Sequence, residues 1–294
     1  RNTWPEEMST VARIPFLLAT PRGAVRGDIR ETGGRVEPDS GAAIVVCHGF
    51  KGFKDWGFFP AVGDDLAART GSSVIGFNFG GCGVGSDLGR FSEPEAFATA
   101  TFSGEVADLD AVLDGLAAGR LGDTPVRTPT AIGVLAHSRG AIAASVVASR
   151  RPEVRALVLW GGLSRPERYA ELFPADAGDD HVVEIRNQRT GEVLPLGRSV
   201  VDDLEKHGTE LDPLAALRSG GPPLLVVHGA NDEAVSPADG RAYAAAAPEA
   251  EFVEIPGAGH TFDVRHPYLG ATPALIRALD HTADHFRQHL RAES

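Results

Sequence analysis

Three residues of this sequence could together perform nucleophilic chemistry, and the first of them is a serine. Ser138 lies in the run AHSRG, between a strand predicted over 131–136 and a helix predicted over 140–150. On a tight strand-to-helix turn, a serine projects its hydroxyl above the edge of a sheet, and small neighbours relieve the crowding. Ala136 replaces the first glycine of the usual G-x-S-x-G pattern and is nearly as small. The plainer interpretation of Ser138 is a helix N-cap.

The other two are an acid and a histidine, because serine is a weak nucleophile at neutral pH and needs a base that a third group orients. His260 follows the strand predicted over 251–255, within the glycine-containing run PGAGHTF. Asp232 follows the strand predicted over 224–228. Each alone could be an ordinary loop residue. Their order Ser, Asp, His, each after a strand, predicts Ser138 as the nucleophile, His260 as the base and Asp232 as the orienting acid.

Backbone N–H groups are expected to stabilise the oxyanion that such a serine would generate. One is predicted to be that of Arg139, directly after the nucleophile, and the other that of Phe50, in the loop after the third strand. Four further side chains are candidates for the substrate pocket: His48, Trp56, Phe58 and His137. The aromatic members, with the adjacent Phe59, suit an aromatic acyl group, although each alone is more often a packing residue.

Two other patterns in the sequence superficially suggest a cofactor site and a metal site. The glycine-rich segment 80–85 misses the G-x-G-x-x-G register, and no helix is predicted directly after it. His281, His285 and His289 have an i, i+4, i+8 spacing that a metal could use, but a solvated helix face is the preferred interpretation. We therefore predict neither a metal nor an organic cofactor.

Alternating strands and helices must position these residues. Apolar runs of strand length are separated by amphipathic stretches of helical length, which predicts an α/β fold. The expected architecture is a mainly parallel sheet of about eight strands with helices on both faces. The sheet is predicted to open with an antiparallel pair at 16–19 and 25–29.

Residues 163–220 interrupt this alternation between two predicted core strands. A hairpin is expected at 182–187 and 192–196, followed by a short helix at 200–206. Long connections in compact domains are usually functional. We predict a small cap over the serine, inserted within a single domain that spans residues 1–294.

Composition excludes several classes of function. The chain has 294 residues, a net charge of −12 and a pI near 5.3, which argues against a nucleic-acid partner. No apolar run reaches the roughly 18 residues that a membrane span needs. No signal peptide is visible, so a cytoplasmic location is expected, although a trimmed precursor would look the same. Cys47 and Cys82 are expected to be buried free thiols, with a disulfide as the alternative.

Taken together, these motifs resemble the α/β-hydrolase superfamily over about residues 12–291. The resemblance rests on HGF at 48–50, FNFGG at 77–81, the Ser138 turn, Asp232 and His260. Within the superfamily, the chain is most similar to compact bacterial carboxylesterases of the cinnamoyl/feruloyl-esterase and serine-aminopeptidase-like groups. It lacks the His-Gly-Gly-Gly run of the hormone-sensitive-lipase-like esterases.

The resemblance implies hydrolysis of a small-molecule carboxylic ester, with a short-chain or aromatic acyl group, through an acyl-enzyme. It requires no cofactor. A peptidase, thioesterase or lactonase using the same triad is an alternative, because pocket walls decide the substrate. A non-catalytic binding relative is a further alternative, which retention of all three triad residues disfavours. The natural substrate and the oligomeric state stay open at this point.

Overall fold

The computed structural model describes residues 11–20, 23–32, 41–187 and 191–291. The strands within them are β1 (Val11–Thr20), β2 (Gly23–Thr32), β3 (Ala43–Cys47), β4 (Ser73–Asn78), β5 (Arg120–Leu121), β6 (Thr124–Pro125), β7 (Ile132–His137), β8 (Val154–Trp160), β9 (Val182–Arg186), β10 (Val193–Gly197), β11 (Leu224–Gly229) and β12 (Glu251–Ile255). The helices are α1 (Phe59–Thr70), α2 (Pro94–Ala98), α3 (Phe102–Ala117), α4 (Gly140–Ala148), α5 (Ser199–His207), α6 (Pro213–Ser219), α7 (Pro237–Ala246) and α8 (Pro273–His289), with a 3₁₀ helix at Pro166–Leu172.

Eight of these strands form the main sheet, in the order β1-β2-β4-β3-β7-β8-β11-β12. β2 pairs antiparallel with both β1 and β4, whereas every neighbouring pair from β4 to β12 is parallel. Parallel neighbours need crossover connections, and α1, α3, α4 and α7 lie in those connections. The predicted mainly parallel sheet of about eight strands is confirmed.

Strand β3 shows how the sheet is buried on both faces. All five of its residues are buried. Ile44 and Val46 pack into one hydrophobic cluster with α1 and α8, whereas Val45 and Cys47 pack into the other with α3, α4 and α7. Successive side chains of a strand point to opposite faces, so a continuous apolar run is what a doubly covered strand needs.

The segment 163–220 contains the predicted hairpin. β9 and β10 pair antiparallel, with Arg186 opposite Val193. The turn residues 188–190 lie outside the described residues. The helix predicted at 200–206 is α5, and the structure adds the 3₁₀ helix and α6. A third hydrophobic cluster joins Leu196 and Val200 of this segment to Phe102 and Ile142 of α3 and α4.

Other local predictions need correction. The opening strands are longer than predicted, and part of their turn, at 21–22, lies outside the described residues. The expectation of a solvated face is wrong for His285, which is buried with Nε2 3.2 Å from the Pro223 carbonyl oxygen. Burial lowers the pKa of His285 to about 4. In the part of the chain that is described, no group of three or more His, Cys, Asp or Glu residues is arranged so that it could hold a metal ion.

Two further findings concern the thiols and the helices. Cys47 and Cys82 are both buried and both free, which confirms the prediction of two separate thiols. Burial raises the pKa of each thiol, and for Cys82 the value is about 12. A thiol with so high a pKa is protonated at neutral pH and behaves as a small apolar group. None of the described helices is long and apolar enough to cross a bilayer.

Candidate active site

Ser138 occupies the sharp turn between β7 and α4. Its φ is +58°, a left-handed conformation that costs a non-glycine residue roughly 1–3 kcal/mol. The turn is fastened on both sides: the Ser138 N–H donates to the Trp160 carbonyl at 2.9 Å, and the Ser138 carbonyl accepts from the Leu163 N–H at 3.1 Å. Space is short as well. A Cβ at Gly49 would lie 2.7 Å from the Ser138 Cβ, so only glycine lets this loop pass beneath the serine.

The imidazole of His260 links Ser138 to Asp232. Its Nε2 lies 2.9 Å from the Ser138 Oγ, and its Nδ1 lies 2.7 Å from the Asp232 Oδ2. The carboxylate can only accept, so the proton belongs on Nδ1, and the Nε2 lone pair faces the serine hydroxyl. A Cβ at Gly161, whose φ is +52°, would come within 3.2 Å of both Asp232 Oδ2 and His260 Nδ1. The structure thus joins the three predicted residues, Ser138, His260 and Asp232, in one hydrogen-bonded relay.

Asp232 is held by four donors although its side chain is completely buried. Its Oδ1 accepts the N–H groups of Ala234 and Val235, each at 2.9 Å. Its Oδ2 faces His260 and also the Nε2 of His228 at 3.3 Å. Burial by itself would raise the pKa of Asp232, but the hydrogen bonds from His228, His260 and Val235 hold it well below its usual range. The carboxylate therefore stays ionised in the neutral range.

His228 is a site residue that the sequence analysis missed. It lies at the end of β11, fully buried, with Nε2 3.0 Å from the Val235 carbonyl oxygen. An Nε2–H can donate to both Val235 and Asp232 and so steadies the loop that carries the acid. The available signal was its position, four residues before Asp232 at the end of a buried strand.

The two predicted oxyanion donors lie in turns beside the serine. Gly52 N–H donates to the Gly49 carbonyl at 3.1 Å and closes the turn that contains Phe50. Arg139 occupies the N-cap position of α4. Among the described residues, neither the Phe50 N–H nor the Arg139 N–H donates to a protein acceptor. A pair of such amides next to the nucleophile suits a developing negative charge, and their role as donors stays a prediction.

A cavity of about 570 Å³ opens above Ser138. Its walls combine aromatic and aliphatic side chains with three charged ones: Phe50, Trp56, Phe59, Tyr169, Leu163, Leu172, Ile185, Val235, Lys51, Arg168 and Glu233. His137 and His260 also line it. This volume lies within the range of about 300–1,000 Å³ that small-molecule sites span. The sequence analysis did not identify Leu163, Leu172 or Ile185 as pocket residues, because no local pattern indicates which side chains of the segment 163–187 face the serine.

Of the four pocket candidates, the structure places Trp56 and His137 in the cavity wall and the other two beneath it. His48 is buried: its Nδ1 donates to the Gly49 carbonyl at 2.9 Å, and its Nε2 accepts the Phe79 N–H at 3.2 Å. Burial lowers the pKa of His48 to about 4, so it is neutral and fastens the loop. Phe58 is fully buried against Phe59 and Trp160. The expectation that His48 and Phe58 line the pocket therefore needs correction.

Comparisons with known proteins bear on the fold. No protein-family model and no curated protein sequence matches the chain. Among solved structures, the esterase domain of a Rhodothermus marinus protein is 19% identical with a TM-score of 0.65, covering 96% of this chain and 99% of its own. Est1E from Butyrivibrio proteoclasticus is 16% identical with a TM-score of 0.68, covering 92% and 96%. Est1E has also been solved with ferulic acid bound.

A peptidase is similar as well. A puromycin-hydrolyzing peptidase of Mycobacterium tuberculosis is 18% identical with a TM-score of 0.68; the match covers 98% of this chain and 41% of the peptidase. Identities this low establish the fold alone. The chain has the α/β-hydrolase fold, as its motifs predicted.

Proposed function

We propose that this protein is a serine hydrolase that cleaves small-molecule carboxylic esters through an acyl-enzyme. The observation that carries the proposal is the relay from Ser138 through His260 to Asp232, with distances of 2.9 and 2.7 Å, at the floor of a cavity. A serine hydroxyl next to a neutral imidazole whose other nitrogen is held by a carboxylate is the arrangement that activates serine for acyl transfer.

The proposed reaction follows from the geometry. Ser138 Oγ attacks the ester carbonyl carbon while His260 Nε2 takes the hydroxyl proton, and the imidazolium is stabilised by ionised Asp232. The N–H groups of Phe50 and Arg139 receive the oxyanion. Collapse of the tetrahedral intermediate breaks the ester C–O bond, and His260 returns the proton to the leaving alcohol. Water, deprotonated by His260, then releases the acid and restores Ser138.

The cavity walls support a short-chain or aromatic acyl group. Four aromatic rings and several aliphatic side chains surround the serine, and a flat, apolar acyl group can bury its faces against them. Ferulic acid, which the similarly folded Est1E binds, is an aromatic acid of this kind. We propose hydroxycinnamate and small acyl esters as the substrates to test first.

We further propose that residues 163–220 act as a cap within one domain. The cavity-lining residues Leu163, Tyr169, Leu172 and Ile185 all come from this segment. Its own apolar residues join a hydrophobic cluster with α3 and α4, which supports a cap that is packed onto the rest of the domain and does not fold separately.

Covalent labelling tests the catalytic proposal. A fluorophosphonate probe is expected to modify Ser138, and mass spectrometry of a digest should find the adduct on the peptide that contains it. Labelling at another residue, or none with folded protein, would contradict the proposal.

A substrate panel tests the substrate class and the cap. The panel contains p-nitrophenyl esters of graded chain length, hydroxycinnamate methyl esters, thioesters, lactones and aminoacyl anilides, so that the peptidase, thioesterase and lactonase alternatives are measured side by side. The double variant Leu172→Ala, Ile185→Ala should alter the ranking of bulky esters and leave p-nitrophenyl acetate nearly unchanged. Val182→Ala, on the same hairpin but absent from the cavity wall, is the matched control. An unaltered ranking would contradict the role of the cap.

A further inference from the structure

The side chain of Arg139, the residue after the nucleophile, is almost completely buried, with 2% of its surface exposed. Its guanidinium carbon lies 4.1 Å from the ring centre of Phe102, 4.6 Å from that of Tyr169 and 5.3 Å from that of Phe50. Its Nε lies 2.8 Å from the Glu105 carboxylate. We call these four neighbours the Arg139 cage. A desolvated guanidinium over aromatic faces gains from cation–π attraction, and its planar shape fits between rings.

The cage joins three separate parts of the molecule. Phe50 belongs to the loop after β3, Phe102 and Glu105 belong to the first turn of α3, and Tyr169 belongs to the 3₁₀ helix of the cap segment. Phe50 and Tyr169 also contact each other, with ring centres 5.1 Å apart. Arg139 and Phe50 are the two residues whose amides are the proposed oxyanion donors. One side chain therefore links both donors to the segment that covers the cavity.

The charges of the cage favour a positional role. Burial raises the pKa of Glu105 to about 7, and the adjacent Arg139 opposes that rise. A buried ion pair is weak evidence for stability, since apolar residues of similar volume often serve a core as well or better. A charged, planar guanidinium is instead held in one orientation, because it is attracted to the carboxylate on one side and to the ring faces on the others. Such a group fixes where its own backbone lies.

Resting on the proposed function, we propose that Arg139 is a positioning residue for the oxyanion hole. Its caged guanidinium holds the amides of Arg139 and Phe50 at the spacing that the oxyanion requires, and it couples this spacing to docking of the Tyr169 segment over the cavity. The cage acts on the transition state through the two amides. Phe50 and Tyr169 of the cage also line the cavity, whereas the side chain that holds them, Arg139, does not.

Steady-state kinetics of Arg139→Met test this inference. With p-nitrophenyl acetate, kcat should fall 10- to 100-fold while KM changes less than threefold, because an interaction made only in the transition state is lost. Arg139→Lys, which retains the charge, should recover part of the loss. The matched control is Arg151→Met, which removes an arginine that pairs with α3 from the far end of α4 and should leave both constants unchanged.

Inhibitor affinities separate positioning from general damage to the fold. A trifluoromethyl ketone forms an oxyanion when Ser138 adds to it, so its affinity for Arg139→Met should fall in parallel with kcat/KM. The affinity of the matching unreactive amide should stay within threefold of wild type. The inference is overturned if folded Arg139→Met has the wild-type kcat, or if its KM changes while its kcat does not.

A second variant keeps the test decisive if Arg139→Met does not fold. Phe102→Leu removes the ring nearest the guanidinium, and Phe102 does not line the cavity. It should lower kcat severalfold at unchanged KM, and an unchanged kcat overturns the inference. The outcomes also distinguish the two proposals. Wild-type protein that reacts with neither the fluorophosphonate nor any ester overturns the proposed function and this inference with it, whereas active wild type with unaffected cage variants overturns the inference alone.

Discussion

Arginines that flank helix α4 at its two ends pair with carboxylates of α3, and the two ends differ in almost every other respect. At the serine end, Arg139 pairs with Glu105, and the two side chains are only 2% and 13% exposed. At the far end, Arg150 pairs with Asp110, and Arg151 pairs with Asp114. The side chains of Arg150 and Arg151 are 52% and 21% exposed. The same residue types therefore connect the same two helices in a dry environment and in a wet one.

The two ends differ because one set of charges is buried and the other is solvated. At the far end, water and several carboxylates share the two arginines, so removing one partner leaves the others solvated. At the serine end, one carboxylate and three aromatic rings surround one guanidinium, so removing it strands a charge in a low-dielectric environment. The far end tolerates change, whereas the serine end depends on a single arrangement. This arrangement lies where the proposed chemistry needs fixed backbone amides.

The largest effect, on kcat, is expected at the serine end, at Ser138 and its base. Ser138→Ala and His260→Ala should each lower kcat by about 10⁴-fold or more, and the double variant should lose no more than either single one, because the triad acts as a unit. Initial rates on a p-nitrophenyl ester measure this. Thermal unfolding provides the control, since both variants should unfold near the wild-type midpoint. Losses that multiply would contradict a shared relay.

The next largest effect is on stability, and it compares the serine end directly with the far end. Arg139→Met should lower the free energy of unfolding by about 3–5 kcal/mol, because Glu105 then has no partner for its buried charge. Urea unfolding at pH 8, above the pKa of Glu105, measures the loss, and Arg151→Met in the same buffer is its reference. Equal losses in the two variants would show that burial does not distinguish the two ends.

A smaller effect should appear as pH dependence at the serine end. Burial raises the pKa of Glu105 from an ordinary 4.5 to about 7 in the folded chain, partly offset by Arg139, and Asp108 and Asp203 add to the rise. The folded chain then holds this proton more tightly than the unfolded chain. The contribution of Glu105 to the free energy of unfolding should therefore fall between about pH 4.5 and 7 and level off above that.

The difference in unfolding free energy between wild type and Glu105→Gln isolates this titration from all others. It should decline by roughly 3 kcal/mol across that window, on the scale of 1.36 kcal/mol per pKa unit. A flat profile for Glu105→Gln would mean that the carboxyl titrates normally.

The smallest effect belongs to the far end. Arg151→Met should cost only about 0.2–1 kcal/mol of unfolding free energy, as partly exposed pairs do. The loss should shrink further between 0.15 and 1 M salt, because the screening length falls to about 3 Å. Urea titrations at the two salt concentrations measure it. A loss above 2 kcal/mol, or one insensitive to salt, would place Arg151 in the same class as Arg139.

Much of the fold was predictable because its signals are local. β7 is apolar from Ile132 to Ala136, just before His137 and Ser138, and a run of that kind needs no knowledge of its neighbours to be identified as a doubly buried strand. The hairpin β9–β10 was predicted from two short strand patterns around a turn. The ribbon β5–β6 and helix α2 were missed because they have two and five residues, too few for a periodic pattern.

Side-chain directions in loops were the less predictable part. His48 and Phe58 were expected in the pocket because they stand beside catalytic elements in the sequence. The structure turns His48 toward the Phe79 N–H and packs Phe58 against Trp160. Both partners are more than 30 residues away along the chain, so no pattern within the loop could indicate these contacts. In a loop, such distant partners decide which side chain faces the cavity.

The class of fold, and the choice of Ser138, Asp232 and His260 as candidate site residues in that order after the strands, came from the sequence alone. These depend on apolar runs and on the small residues around a tight turn, which are properties of short segments. Only the tertiary structure revealed that His228 also faces Asp232 and that Arg139 is caged by Glu105 and three rings. Both arrangements bring together residues from distant segments in a water-free environment, and a charge behaves according to what surrounds it in space.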